Sequence, residues 1–177
     1  MRMGPMGHTA ISAVIGTSVW GVTGSPLAGG VAVVAGVAVD VDHLLDYYRR
    51  WVQRRSNKIF VLFHAWEYSI IGLLVLGFVY YHPILLAVVF AHLGHVATDH
   101  FHNRLTPLGY SIVYRAWVGF DAAKIAPGIH LEYSYLSLPG LFPMKWLWEP
   151  WYRRKIEPWI ASRVVPLPQD PKSHHHD

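Results

Sequence analysis

Residues 84–102 read ILLAVVFAHLGHVATDHFH, and this stretch decides the fold. Its first eight residues are apolar, and its second half sets imidazoles and a carboxylate into the same helix. At ~100° per residue, His92, His95, Asp99 and His102 fall within an arc of ~80°. They form one polar stripe on an apolar helix. His92 and His95 stand at i, i+3 and His95 and Asp99 at i, i+4, spacings that let two side chains reach one ion. The stripe covers ~15 Å of helix axis, too long for a single ion. His100 points elsewhere. Ionisable groups near hydrocarbon cost ~2.5–3.5 kcal/mol each on insertion scales, so they tend to be functional.

Three further apolar segments precede this one, at about Ala10–Val22, Leu27–Val39 and Ile59–Tyr81. Thr23-Gly24-Ser25-Pro26 breaks the first from the second, and His82-Pro83 breaks the third from the fourth. A membrane helix needs ~20 apolar residues. The third segment meets that length and the fourth nearly does, whereas the first two read as short spans or a re-entrant hairpin. The expectation is an all-α integral membrane bundle of about four helices. Residues 1–103 would be the membrane-embedded metal-site domain, 104–165 an amphipathic interfacial segment, and 166–177 a polar tail. Trp146, Trp148, Trp151 and Trp159 alternate with Lys145, Arg153, Arg154 and Lys155 in the second region, a mixture suited to headgroup depth. Pro139, Pro143, Pro150 and Pro158 exclude one long helix there.

Composition agrees. The 177 residues are 53 % hydrophobic and 15 % charged, against ~25 % charged in soluble domains. The net charge of +4 reads as topology and anionic-lipid contact rather than nucleic-acid binding. Arg2, Arg49, Arg50, Arg54, Arg55, Lys58 and Arg104 share the face of the N-terminus, and the opposite turns carry no Lys or Arg. By the positive-inside rule that face is cytoplasmic, in a multi-pass inner-membrane protein. The N-terminus lacks a convincing secretory signal. With no cysteine among the residues, any metal is bound through nitrogen and oxygen. His174–His176 are either a tag remnant or a natural metal-binding tract.

Antiparallel hairpins bring distant polar residues to one face. His8 opens the first segment, Asp40, Asp42 and His43 close the second, His64 and Glu67 open the third, and the histidine stripe closes the fourth. The expected metal ligands are His8, Asp40, Asp42, His64, His92, His95, Asp99 and His102. Glu67 is the expected general base, with a helix-start carboxylate favoured by the dipole as the bland alternative. Imidazole and carboxylate suit one or two divalent ions, zinc first, with manganese or iron as alternatives. Lys58, Arg104, Arg49 and Arg50 border the site as topology signals or phosphate contacts, and Asp46 reads as a solvated helix face.

The order His8, Asp40-Val41-Asp42-His43, His64 and His95-Val96-Ala97-Thr98-Asp99 resembles the bacterial inner-membrane metal-dependent hydrolases. That family is itself similar to the zinc-dependent phospholipase C and nuclease superfamily. The resemblance covers roughly residues 6–105. It implies a helical metal-dependent hydrolase acting on a phosphoester, with His8, Asp42, His64, His95 and Asp99 as ligands. Where the family carries Thr-His-Ser, this chain has His64-Ala65-Trp66-Glu67-Tyr68-Ser69, and it lacks a later His-x-x-x-Glu pair. A lipid or lipid-linked phosphate is the expected substrate. The rivals are a membrane di-iron oxidoreductase and a non-enzymatic metal-binding membrane protein. The sequence leaves the oligomeric state open.

Overall fold

The computed structural model describes residues 5–55, 57–103, 105–141 and 144–164. Arg2, Arg104, Pro143, the polar tail and His174–His176 lie outside the described residues. The described chain is helical, with no strand beyond a single bridge between Lys58 and Asp121.

Helix α1 spans Pro5–Thr23. Gly24, at φ +69°, ends it in the left-handed region that glycine adopts without penalty, and its amide returns to Trp20 O at 2.8 Å. Ser25 then caps α2 (Pro26–Ala38) by accepting from Ala28 N, with Pro26 as the first helical residue. The helical path does not stop at Val39. A 3₁₀ turn (Val39–Val41), α3 (Asp42–Tyr47) and a π turn (Tyr48–Val52) carry it on as one rod of 27 residues. The first two helices are therefore longer than the apolar runs suggested.

The third segment departs from expectation in the other direction. Residues 57–65 are extended, and α4 covers only Trp66–Phe78, too short to cross ~30 Å unaided. The cause is competition for the backbone. Asp46 accepts from Phe60 N and Asp42 from Phe63 N, while Arg115 donates to the carbonyls of Val61 and His64. These side chains satisfy backbone groups that a helix would otherwise pair internally. His82 Nδ1 then accepts from Ile84 N and Pro83 opens α5 (Pro83–His102). The rod Pro26–Val52 and α5 are each long and apolar enough to cross a membrane.

Helices α1, α2 and α5 pack on one another, and α4 lies against α5. Their shared seam is built of small residues at i, i+4. On α1 the buried stripe runs Gly16, Ser12, His8; on α2 it runs Ala28, Ala32, Gly36; on α5 it runs Ala87, Ala91, His95, Asp99. Small residues let backbones approach closely. A Cβ on Gly36 would stand 2.1 Å from Ser12 Oγ, so only glycine fits there.

Beyond α5 the chain forms α6 (Ile112–Trp117), α7 (Ala122–Ile125), a 3₁₀ stretch (Leu131–Leu141), α8 (Lys145–Lys155) and α9 (Glu157–Ala161). Ile59 and Val61 of the extended strip pack on Ala122 and Ile125, and Trp51 of the rod packs with Tyr135, Tyr152 and Ile160. This region covers the end of the bundle where α1 starts and α5 finishes.

Gly36→Val should lower stability by about 1–3 kcal/mol through overpacking, read as a lower thermal midpoint in detergent. An unchanged midpoint would remove the close-packed seam from the account.

Candidate metal centre

Each buried stripe ends in a polar residue at the same end of the seam. One turn beyond Gly36 lies Asp40, Asp99 lies one turn beyond His95, and His8 one turn before Ser12. The extended strip brings His64 across that end. Imidazoles and carboxylates from four segments thus meet at one depth.

Four atoms converge most closely. His64 Nε2 and His95 Nε2 are 3.1 Å apart. Asp40 Oδ1 stands 3.4 Å from the former and 3.5 Å from the latter. Asp99 Oδ2 stands 3.4 Å from His64 Nε2 and 3.8 Å from His95 Nε2. A tetrahedron of nitrogen and oxygen around an ion with ~2.0–2.1 Å bonds has edges of about 3.3 Å. These five distances bracket that edge.

The tautomers follow from what lies behind each ring. His95 Nδ1 faces the carbonyl of Gly36 at 2.7 Å, and His64 Nδ1 faces Asp42 Oδ2 at 3.3 Å. Both partners only accept, so both Nδ1 atoms carry hydrogen and both Nε2 atoms point inward, that of His95 as an acceptor and that of His64 as one once its second proton leaves. Two acceptors that face each other between two carboxylates need a positive centre. A carboxylate or carbonyl behind a ligating imidazole is the usual outer-shell support of a metal site.

The residues expected in the site divide into three groups. His8, Asp40, His64, His95 and Asp99 are brought together, with His8 Nε2 3.1 Å from Asp99 Oδ1 and its ring stacked on His95 at 3.9 Å. Asp42 lies behind His64 rather than at the convergence. The third group faces away. His92 bridges α5 to α4 and the strip, with its ring nitrogens 2.7 Å from Ser69 Oγ and from Phe63 O. Glu67 accepts from Ser111 Oγ, Ile112 N and Val113 N, so its carboxylate caps α6 instead of facing the centre. His102 is exposed at the rim, its Nδ1 2.8 Å from Thr98 O.

Three residues enter without having been expected as ligands or supports. His43 Nε2 is 3.5 Å from Asp40 Oδ1, forming with Asp40 and His64 a further group able to hold an ion. Arg115 is buried and clamps the strip that carries His64; its burial pushes the guanidinium pKa down. Asp46 is buried and paired with Arg50 instead of solvated. Of the other basic residues, Lys58 donates to Gly119 O and Arg49 lies over the Phe60 ring.

The centre opens into a cavity of about 500 Å³. His8, Asp40, His43, His64 and Asp99 line one part; Ile125, Ile129, Leu131, Leu138 and Leu141 line another.

Burial would lower the His64 pKa, but Asp40, Asp42 and Asp99 outweigh it and raise the group to about 9. No family model matches this chain, and neither a curated protein nor a solved structure does.

Metal analysis of the full chain, with any terminal histidine tract removed, should show stoichiometric divalent metal. His95→Ala and Asp99→Ala should lose it, Asp42→Asn should weaken affinity by roughly 10–100-fold, and His92→Ala should keep it. Equal metal in all five proteins would dismiss the centre. A cation must also displace the His64 proton, so affinity should rise with pH by up to about tenfold per unit and level off near 9. Calorimetry across that range reads the slope; a flat profile would show that His64 does not ligate.

Proposed function

We propose that this chain is a membrane-embedded metal-dependent hydrolase acting on a phosphoester of a lipid or lipid-linked substrate. The observation that carries the reading is the inward-facing pair of imidazole Nε2 atoms between Asp40 and Asp99, beside a partly open cavity. His64, His95, Asp40 and Asp99 are the proposed ligands of one ion, zinc first among divalent candidates. His8 supports Asp99 or joins the set, and His43 with Asp40 and His64 offers a place for a second ion.

A divalent cation held there supplies Lewis acidity toward an ester oxygen and acidifies a water molecule near neutral pH. The protein's own groups do the rest. Asp42 and the Gly36 carbonyl fix the two imidazoles, which removes the entropy of ordering them. His43, beside Asp40 and open to the cavity, is placed to accept a proton, a role for which Glu67 is turned the wrong way. Arg115 donates to carbonyls, and among the described residues no carboxylate pairs with it, so its charge favours an anionic substrate in the cavity.

The membrane setting is supported by two apolar helices of spanning length and by large apolar side chains left exposed on them and on α4, among them Val34, Ile70, Ile71, Leu74, Phe78 and Phe90. Apolar exposure of this extent marks a lipid or partner surface. The basic residues of the rod's far end and the strip support the reading that the site faces the cytoplasm from an inner membrane.

Zinc- or manganese-loaded protein in lipid nanodiscs should release phosphate or a phosphorylated headgroup from a lipid phosphoester. Activity should fall at least ~100-fold in His95→Ala and on chelation, while Glu67→Gln stays within a few-fold of the parent. Full metal loading with no turnover of any phosphoester would leave a non-enzymatic metal-binding protein as the reading.

A further inference from the structure

The walls of the cavity carry information about the substrate beyond its ester. Residues 105–141 pass over the metal-site end of the bundle and cover part of it. The roof is fastened by Arg50, which donates to Leu131 O at 2.8 Å and Ser134 Oγ at 3.1 Å while paired with buried Asp46. Tyr152 ties α8 to the same stretch through Tyr135 O at 2.9 Å. Below this roof the lining turns apolar, with Ile125, Ile129, Leu131, Leu138 and Leu141 contributing alkyl surface.

A site that handled only a headgroup, with its chains left in the bilayer, would need no such chamber. The cavity, about 500 Å³ and partly open, has room for a phosphate beside the centre and an alkyl chain along the apolar wall. From this geometry we infer that the substrate is an amphiphile bearing a phosphate ester, with an alkyl chain that lies inside the protein under the 129–141 roof. The inference rests on the hydrolase reading for the ester chemistry, and on the chamber alone for the chain.

The test uses n-alkyl phosphates from ethyl to hexadecyl. Binding to the full-length, metal-loaded protein in nanodiscs is measured by calorimetry, and phosphate release is measured separately. Each buried methylene contributes ~0.8 kcal/mol, so the long single-chain phosphates should bind at least about tenfold more tightly than ethyl phosphate. Leu138→Trp, which fills the chamber, should move the optimum to shorter chains with metal content unchanged, and Leu138→Ala should move it to longer ones. Affinity independent of chain length, or an optimum unmoved in both variants, would overturn the inference. A chain-length optimum in binding without phosphate release from any probe would sink the hydrolase reading and leave the chamber assignment standing. Phosphate release equally fast from ethyl and hexadecyl phosphate would do the reverse.

Discussion

Two imidazole Nε2 atoms approach to 3.1 Å, a contact that needs a proton or a metal ion between them, and the end of the bundle is organised around that requirement. The rings are locked from behind, so neither can turn away. Asp40 and Asp99 add negative charge to the same small volume. Removing such groups from water costs several kcal/mol each unless they are paired. The convergence is therefore stable only around a cation, either a proton shared at His64 or a metal ion. A helix bundle that needed only packing would place apolar residues at these positions.

The small-residue seam makes the convergence reachable. Gly36 brings the α2 backbone against α1 and α5, close enough for its carbonyl to accept from His95. A larger residue would separate the helices and withdraw that acceptor. Packing and chemistry are thus the same constraint at this position. The stripe of α5 passes from Ala87 and Ala91 to His95 and Asp99 without leaving one face.

That continuity explains what could be read from residues alone. His95 and Asp99 were legible from i, i+4 spacing, and His8, Asp40 and His64 from the up-and-down order of the apolar runs. His92 lies within the same arc, yet α5 is flanked by α4 as well as by α1 and α2, and the stripe divides between those neighbours. Asp40 and Asp42 are two residues apart and face different sides of the rod, which spacing alone does not assign. Glu67 stands at a helix start, where capping and catalysis leave the same mark. The helix expected to begin at Ile59 failed because its backbone is claimed by Asp42, Asp46 and Arg115, all remote in sequence. Arg115 itself left only a faint trace: a lone cation in the apolar run Ile112-Val113-Tyr114-Arg115-Ala116-Trp117. Asp46 reads as a solvated helix face because the roof that buries it with Arg50 comes from residues 131–141, far along the chain.

The 3₁₀ turn at Val39–Val41 has one more effect. It winds the rod between its two aspartates, so that Asp40 meets one edge of the His64 ring and Asp42 the opposite edge. The imidazole is held like a coin between two fingertips. A half-rotation about Cβ–Cγ would put carbon where each nitrogen stands and break both holds at once, so the ring is ready to receive an ion before one arrives.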